Sequence, residues 1–392
     1  MKKTVELLVK KFLCLCIAGW MLSSTAMAAD KNDKMIVGWS PDVYMVDTSV
    51  NDGELVDERA RLLIQENISS KLHSLRQDNK LPFLLKEVNQ QYNTDQTMPG
   101  ELGIIVLVVD NNSLDIKYRT RNAEYYKSIV LCGMDIMLCS VEEETKNMRI
   151  LQTIPLRGYK VLGNDVNHPI VQPLTLEQKQ EAFAETAKSL IKEDLEFSSF
   201  RGALKNALEK KLLPETYQVT EVKISSPKAA ALFENNAEAL KALIGGIFTS
   251  KYQQKTDRIV YPSMAGREWK KDAVSNLYSL QMQSPGGSLT ICAPEAMHKI
   301  SLEVTGIAAA VIPSKKPSTV KYDVGYKAWL KKEPVEKNEK AEVSKVMIEQ
   351  YPIKEGRQPD KEPAIQPDLQ DIYIELFGAV AADLAAQADK GN

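Results

Sequence analysis

Apolar residues recur at helical spacing in two well-separated stretches. ERARLLIQENISSKL begins at Glu58 and EALKALIGGIFTSKY begins at Glu238, and both keep the i, i+3, i+4 rhythm that turns one helix face into a core. Set in register at an offset of 180 residues, Ala60 meets Leu240, Leu63 and Ile64 meet Leu243 and Ile244, and Ile68 meets Phe248. Each stretch is followed by a second helical candidate, LPFLLKEVNQQY from Leu81 and GREWKKDAVSNLYSL from Gly266. Strand-like runs come next. In the first half they cover 102–110, 113–121, 128–141 and 148–162. In the second they are SLTICA, KISLEVTGIAAAVI, TVKYDVGYKAWL and EVSKVMIEQYPI. Alternation is clearest at Val320, Tyr322, Val324, Tyr326 and Ala328, the period of a half-buried strand. The last two runs of each half flank a polar turn, EEETKN or KKEPVEKNEK, and so predict a β-hairpin.

Both hairpins lead into a related phrase. PIVQPLTLEQ starts at Pro169 and PAIQPDLQD at Pro363, an offset of 194, and each opens a helical run, over 176–195 and 369–388. Pro173 and Pro367 stand just ahead of those helices, where a missing N–H costs nothing. The pattern predicts an α+β fold of two tandem diverged modules. Each is a mainly antiparallel or mixed sheet packed with two or three helices. The expected divisions are 1–28, a first module over 29–195, a linking helix over 196–215 that stops near Pro214, and a second module over 216–392.

That order of elements, a long helix, a strand hairpin with a polar turn and a closing helix, resembles the α/β module of the curli-export outer-membrane protein family. It is also similar to the Tol translocation protein's N-terminal domain and to flagellar assembly proteins. The resemblance implies an exported bacterial envelope protein. It carries no functional residue over. MIVGWSPDVYMVD lacks the Pro-Phe ending of those families' first strand.

Residues 1–28 fit a secretory signal peptide: Lys2, Lys3, Lys10 and Lys11, then FLCLCIAGWML, then Ala26 and Ala28 in an A-x-A cleavage pattern. The competing reading is an uncleaved, membrane-anchored N-terminus. Lipidation at Cys14 or Cys16 would want a small residue where Leu13 and Leu15 stand. No later run reaches the roughly 20 apolar residues of a membrane-spanning helix. The segment holds four Lys and one Glu, so its removal takes the formal charge from −2 to −5, which argues against nucleic acid as partner. Cys132, Cys139 and Cys292 remain, an odd number. Cys132 and Cys139 would stand about 23 Å apart along one extended strand, at about 3.3 Å per residue. All three read as small buried apolar residues.

Candidate chemistry is sparse. His73, His168 and His298 are scattered, with no HExxH, no CxxC and no G-x-S-x-G, so no cofactor or metal is expected. Ser189–Lys192 and Ser225–Lys228 match S-x-x-K without the motifs that accompany it in catalysis. SPGGSLT leads into a strand and offers no helix N-terminus to phosphate. Asp165 with His168, and Glu142 to Glu144, read as polar turns.

The lysines at 315, 316, 321, 327, 331, 332, 337, 340 and 345 outnumber the acids among them by four and could meet an anionic envelope polymer, or simply guard a sheet edge. KYRTRNAEYYK, with Tyr118 and Tyr125, could meet glycan or protein. Trp329 falls opposite the apolar face of its strand, among Lys321, Asp323, Lys327 and Lys331. The expectation is a non-catalytic periplasmic protein that binds an envelope component, with Trp329, Lys327, Lys331, Tyr118 and Tyr125 as candidate contacts. The competing expectation is an exported hydrolase or small-ligand binder with its site between the modules.

Overall fold

The computed structural model describes residues 35–46, 55–87, 101–119, 124–141, 147–163, 170–208, 215–256, 258–266, 269–271, 277–284, 287–312, 321–335, 340–352 and 369–388. The segment read as a signal peptide lies outside them, as do Pro367, His168 and the carboxylates at 142–144.

The first helical rhythm becomes α1 (Glu58–Gln77), after strand β1 (Ile36–Val46). Asp57 caps it by accepting from the Ala60 N–H at 2.8 Å. Ala60, Ile64, Ile68 and Leu72 form its buried stripe, and the Trp39 indole N–H donates to Ser69 Oγ at 2.9 Å to tie β1 to it. Then come β2 (Leu84–Glu87), β3 (Leu102–Asp110), β4 (Ser113–Arg119), β5 (Glu124–Val141), β6 (Met148–Leu162) and α2 (Leu176–Glu193). A capping box between Thr175 and Gln178 opens α2. Lys71 Nζ donates to the Ile191 and Lys192 carbonyls at 2.8 and 2.9 Å, a cation at the negative end of that helix.

A 3-10 turn (Phe197–Phe200) and α3 (Arg201–Leu208) follow. They are not a bare linker, because Phe197, Phe200, Ala203 and Leu204 are buried in the same core as α1 and α2. The second half runs β7 (Thr216–Ile224), α4 (Pro227–Leu232), α5 (Ala237–Thr256), β8 (Ile259–Val260), β9 (Lys270–Lys271), β10 (Leu277–Ser284), β11 (Gly287–Pro294), β12 (His298–Ile312), β13 (Lys321–Glu333), β14 (Glu342–Pro352) and α6 (Gln370–Ala385).

The fold is α+β with two mixed sheets. The second is ordered β14-β13-β12-β7-β8. The first contains the path β2-β1-β3-β5-β6, and the directions match step for step: three parallel strands, then two antiparallel additions. In each path a long helix precedes the second strand and a helix follows the last. The halves differ in what is added. β9, β10 and β11, placed by the sequence in the second module, extend the first sheet from β6, and β10 returns to β1 through Met45↔Gln283 and Val46↔Met282. Six strands therefore close into a ring filled by Tyr44, Leu107, Met137, Met148, Met282 and Ile291.

Two helical expectations fail for one reason. Of the stretch from Leu81 the described part holds β2, parallel to β1, and of the stretch from Gly266 it holds β9 and the start of β10; residues 88–92, 267–268 and 272–276 lie outside the described residues. Neither stretch has a helical apolar face strong enough to decide it, and pairing with a neighbouring strand does so where each is described.

The layers stack as α1 and α2, first sheet, α5 and α6, second sheet. One core joins Leu114, Ile129 and Leu131 of the first sheet to Phe248, Phe377, Val324 and Leu302 of the second layer pair. The helix α5 is buried on nearly all sides, as a helix between two sheets must be. The outer face of the second sheet has no layer over it among the described residues.

Candidate binding surface on the second sheet

Alternation along β13 gives its two faces different work. Val324, Tyr326, Ala328 and Leu330 are buried toward α5 and α6, with Tyr326 edge-on to Tyr373 at 5.9 Å. Asp323, Gly325, Lys327, Trp329 and Lys331 point outward, as the sequence predicts for these positions.

Register builds the outer surface row by row. Trp329 stands between Gly306 of β12 and Ser344 of β14, Lys327 between Ala308 and Val346, and Gly325 between Ala310 and Ile348. Glycine at 306 allows the indole to lie on the strand: a Cβ there would stand 3.1 Å from Trp329 Cε3. Trp329 is thereby half-buried without touching the closing helix layer, and Lys327 Nζ lies 4.6 Å from its ring centroid. A Cβ on Gly325 would stand 3.2 Å from Ile312 Cδ1. Beside this row of small residues Val346 is 53% exposed and Ile348 58%. The result is a shallow apolar platform with one aromatic wall and one cation.

Toward the other end the same face is charged and internally paired. Lys331 meets Glu333 at 2.5 Å, Thr305 Oγ1 donates to Glu342 at 2.6 Å, and Lys223 meets Glu221 at 3.2 Å. Glu333 raises the Lys331 ammonium above its ordinary pKa, and Lys331 lowers that of Glu333.

The lysine run does not form one field. Lys332 turns inward, buried, with Nζ 5.9 Å from the Tyr252 ring, and Lys345 faces α6, where it meets Asp383 at 3.1 Å. Lys315, Lys316 and Lys337 lie outside the described residues, as does the Lys321 side chain.

Tyr118 and Tyr125 are opposite each other near the end of the β4–β5 ladder, in the first sheet. Tyr125 is half-buried, and the Tyr118 side chain lies outside the described residues. Lys127, two residues on from Tyr125 on the same strand face, reaches Asp371 at the start of α6 at 2.9 Å. The tyrosines are thus separated from Trp329 by the α6 layer, and the five candidate residues do not make one site. Val346, Ile348, Gly306 and Gly325 were missed by sequence reasoning. Two glycines inside strand patterns were the available signal.

The other candidate chemistry stays dispersed. His73 contacts its own helix through Ser69 O at 2.7 Å, and His298 stacks on Tyr217 at 4.5 Å. Ser189 bonds Glu193 within α2. Cys132, Cys139 and Cys292 are buried thiols, and burial pushes the Cys139 thiol pKa up. No group of three or more His, Cys, Asp or Glu able to hold a metal occurs among the described residues.

Between the two halves lies a buried ion pair. Arg157 Nη2 meets Asp135 at 2.7 Å, and Nη1 donates to the Met134 and Leu156 carbonyls at 2.7 and 2.9 Å. Among the described residues no helix is long and apolar enough to cross a membrane.

No family model matches the chain, and no curated protein matches it. Among solved structures it is similar to a candidate neuraminyllactose-binding hemagglutinin homolog from Helicobacter pylori, at 12% identity and a TM-score of 0.28. That match covers 47% of this chain and 95% of the other, and a likeness this low carries neither fold nor function across.

Proposed function

We propose that the chain is an exported, non-catalytic bacterial protein of the periplasm that binds or positions another cell-envelope component through tandem α/β modules, with the outer face of the second sheet as its contact surface. The observation that supports this most is the platform itself. An indole held on Gly306, with Val346 in the next row of the register and Ile348 in the row beyond, both more than half exposed, is an apolar surface with an aromatic anchor. The N-terminal sequence over 1–28 supports export. The matching strand paths support descent of the two halves from one unit.

Asp135 and Arg157 are charged groups buried where the first sheet faces α5. Those two groups already engage one another and two carbonyls, which is a structural role.

The test is affinity capture from the native envelope with the full chain, compared with Trp329→Ala and Ile348→Glu variants of unchanged far-UV circular dichroism. The expected result is a reproducible envelope partner that both variants lose. Equal capture by wild type and both variants removes the platform from the proposal. Turnover of ester, peptide or glycan substrates abolished by one polar substitution removes the non-catalytic reading.

A further inference from the structure

The edge of the second sheet, as distinct from its face, carries a separate inference. β14 is an 11-residue strand paired on one side with β13, and among the described residues nothing pairs with its other side. A long open edge presents a row of N–H and C=O groups ready for another strand, and proteins normally blunt it with proline, central charges or a bulge. Here the middle of the edge, Val346-Met347-Ile348, is uncharged, flanked by Lys345 and Glu349, with Val346 and Ile348 exposed outward. The ladder to β13 runs without a register shift from Lys331↔Glu342 to Lys321↔Pro352, so no bulge turns the edge away.

We propose that the chain forms a homodimer by antiparallel pairing of β14 with β14 of a second copy, about a two-fold axis at Met347. The sequence of the edge is complementary to itself in that register. Lys345 of each copy stands opposite Glu349 of the other, Val346 opposite Ile348, and Ser344 opposite Gln350. Directly opposed side chains in an antiparallel pair are close enough for opposite charges and apolar pairs to attract and for like charges to repel.

Registers that keep both outer faces on one side place the axis on a residue. Moving it to Val346 sets Lys345 against Met347, and moving it to Ile348 sets Met347 against Glu349. Only the axis at Met347 satisfies both charges. The Asp383 contact of Lys345 is half-exposed and leaves the ammonium able to serve a second carboxylate. The contact is isologous and closes at two copies, giving one continuous sheet that carries both platforms on the same face. The inference stands whether or not that face has its own partner.

The experiment is sedimentation velocity on the full chain over about a hundredfold range of concentration, because mass action sets the dimer fraction. Lys345→Glu and Glu349→Lys are each expected to weaken the dimer about tenfold, since each replaces two opposed attractions by two repulsions. An equimolar mixture of the two single variants regains the dimer, because the carboxylate introduced in one copy then faces the ammonium introduced in the other. The double charge swap within one chain regains it for the same reason. Thermal melting of each variant separates lost pairing from lost folding. A wild-type chain that is monomeric throughout overturns the proposal. So does a dimer indifferent to both single reversals, and so does a loss that neither the mixture nor the double swap restores.

Discussion

Single residues here are understood by what the backbone beside them leaves open. Trp329 rests on Gly306, so it is neither a core tryptophan nor a free one. Truncating a buried Trp costs about 3–5 kcal/mol. Because the indole is only half-buried, against Gly306 and the Lys327 ammonium, Trp329→Ala is expected to cost about 1–2 kcal/mol in urea unfolding, well below that range. Gly306→Val is expected to lift the indole and reduce partner capture as Trp329→Ala does, with the fold retained by circular dichroism.

Asp135 and Arg157 are the opposite case, with side chains 0% and 1% exposed. Arg157→Leu takes the cation from a buried carboxylate and is expected to cost about 3–5 kcal/mol, while the Asp135→Leu, Arg157→Leu double variant recovers much of it. A double-mutant cycle in urea checks both numbers.

At the scale of elements the most constrained is α5, pressed between two sheets. A glycine inside a helix costs about 1 kcal/mol relative to alanine, so Gly245 and Gly246 look like weak points by propensity. Packing reverses the sign. A Cβ on Gly246 would come within 2.3 Å of Arg157 Nε, and one on Gly245 within 2.5 Å of Ser263 Oγ. Gly246→Ala is therefore expected to lower stability by more than about 1 kcal/mol, despite the better helix former, by displacing Arg157 from Asp135. An unchanged or raised melting temperature would contradict this.

For the molecule as a whole, the shared core and the strands lent by one half to the other imply joint unfolding. Calorimetry of the full chain is expected to give one main transition, and a fragment ending at residue 208 is expected to aggregate, having lost β9, β10, β11 and the cover over Ile129 and Leu131. Alkaline pH probes the same interior. Tyr44, Tyr159, Tyr261 and Tyr373 are each pushed up to about 12, in every case first by burial. Their folded pKa lies above the unfolded value of about 10, so their contribution is complete below pH 10 and lost as pH rises toward 12. The urea midpoint should hold to about pH 10 and then fall, with late tyrosinate absorbance following it.

Local pattern determined a good deal of this protein. The stripe Ala60, Ile64, Ile68, Leu72, the alternation through Val324, Tyr326 and Ala328, and the capped start at Thr175 are short-range signals written within one or two turns of chain. The outward position of Trp329 also follows from strand period alone. What required the tertiary structure was every choice made across sequence distance. The stretch from Leu81 could have been helix or strand until β1 lay beside it, and nothing within residues 270–294 says that these strands belong to the first sheet. Nor does the chain reveal that Val346 and Ile348 lie beside Trp329's row while Tyr118 and Tyr125 lie a layer away. Periodicity reports which face of an element is apolar; which element covers that face, and which is left uncovered, depends on contacts between residues tens to hundreds of positions apart.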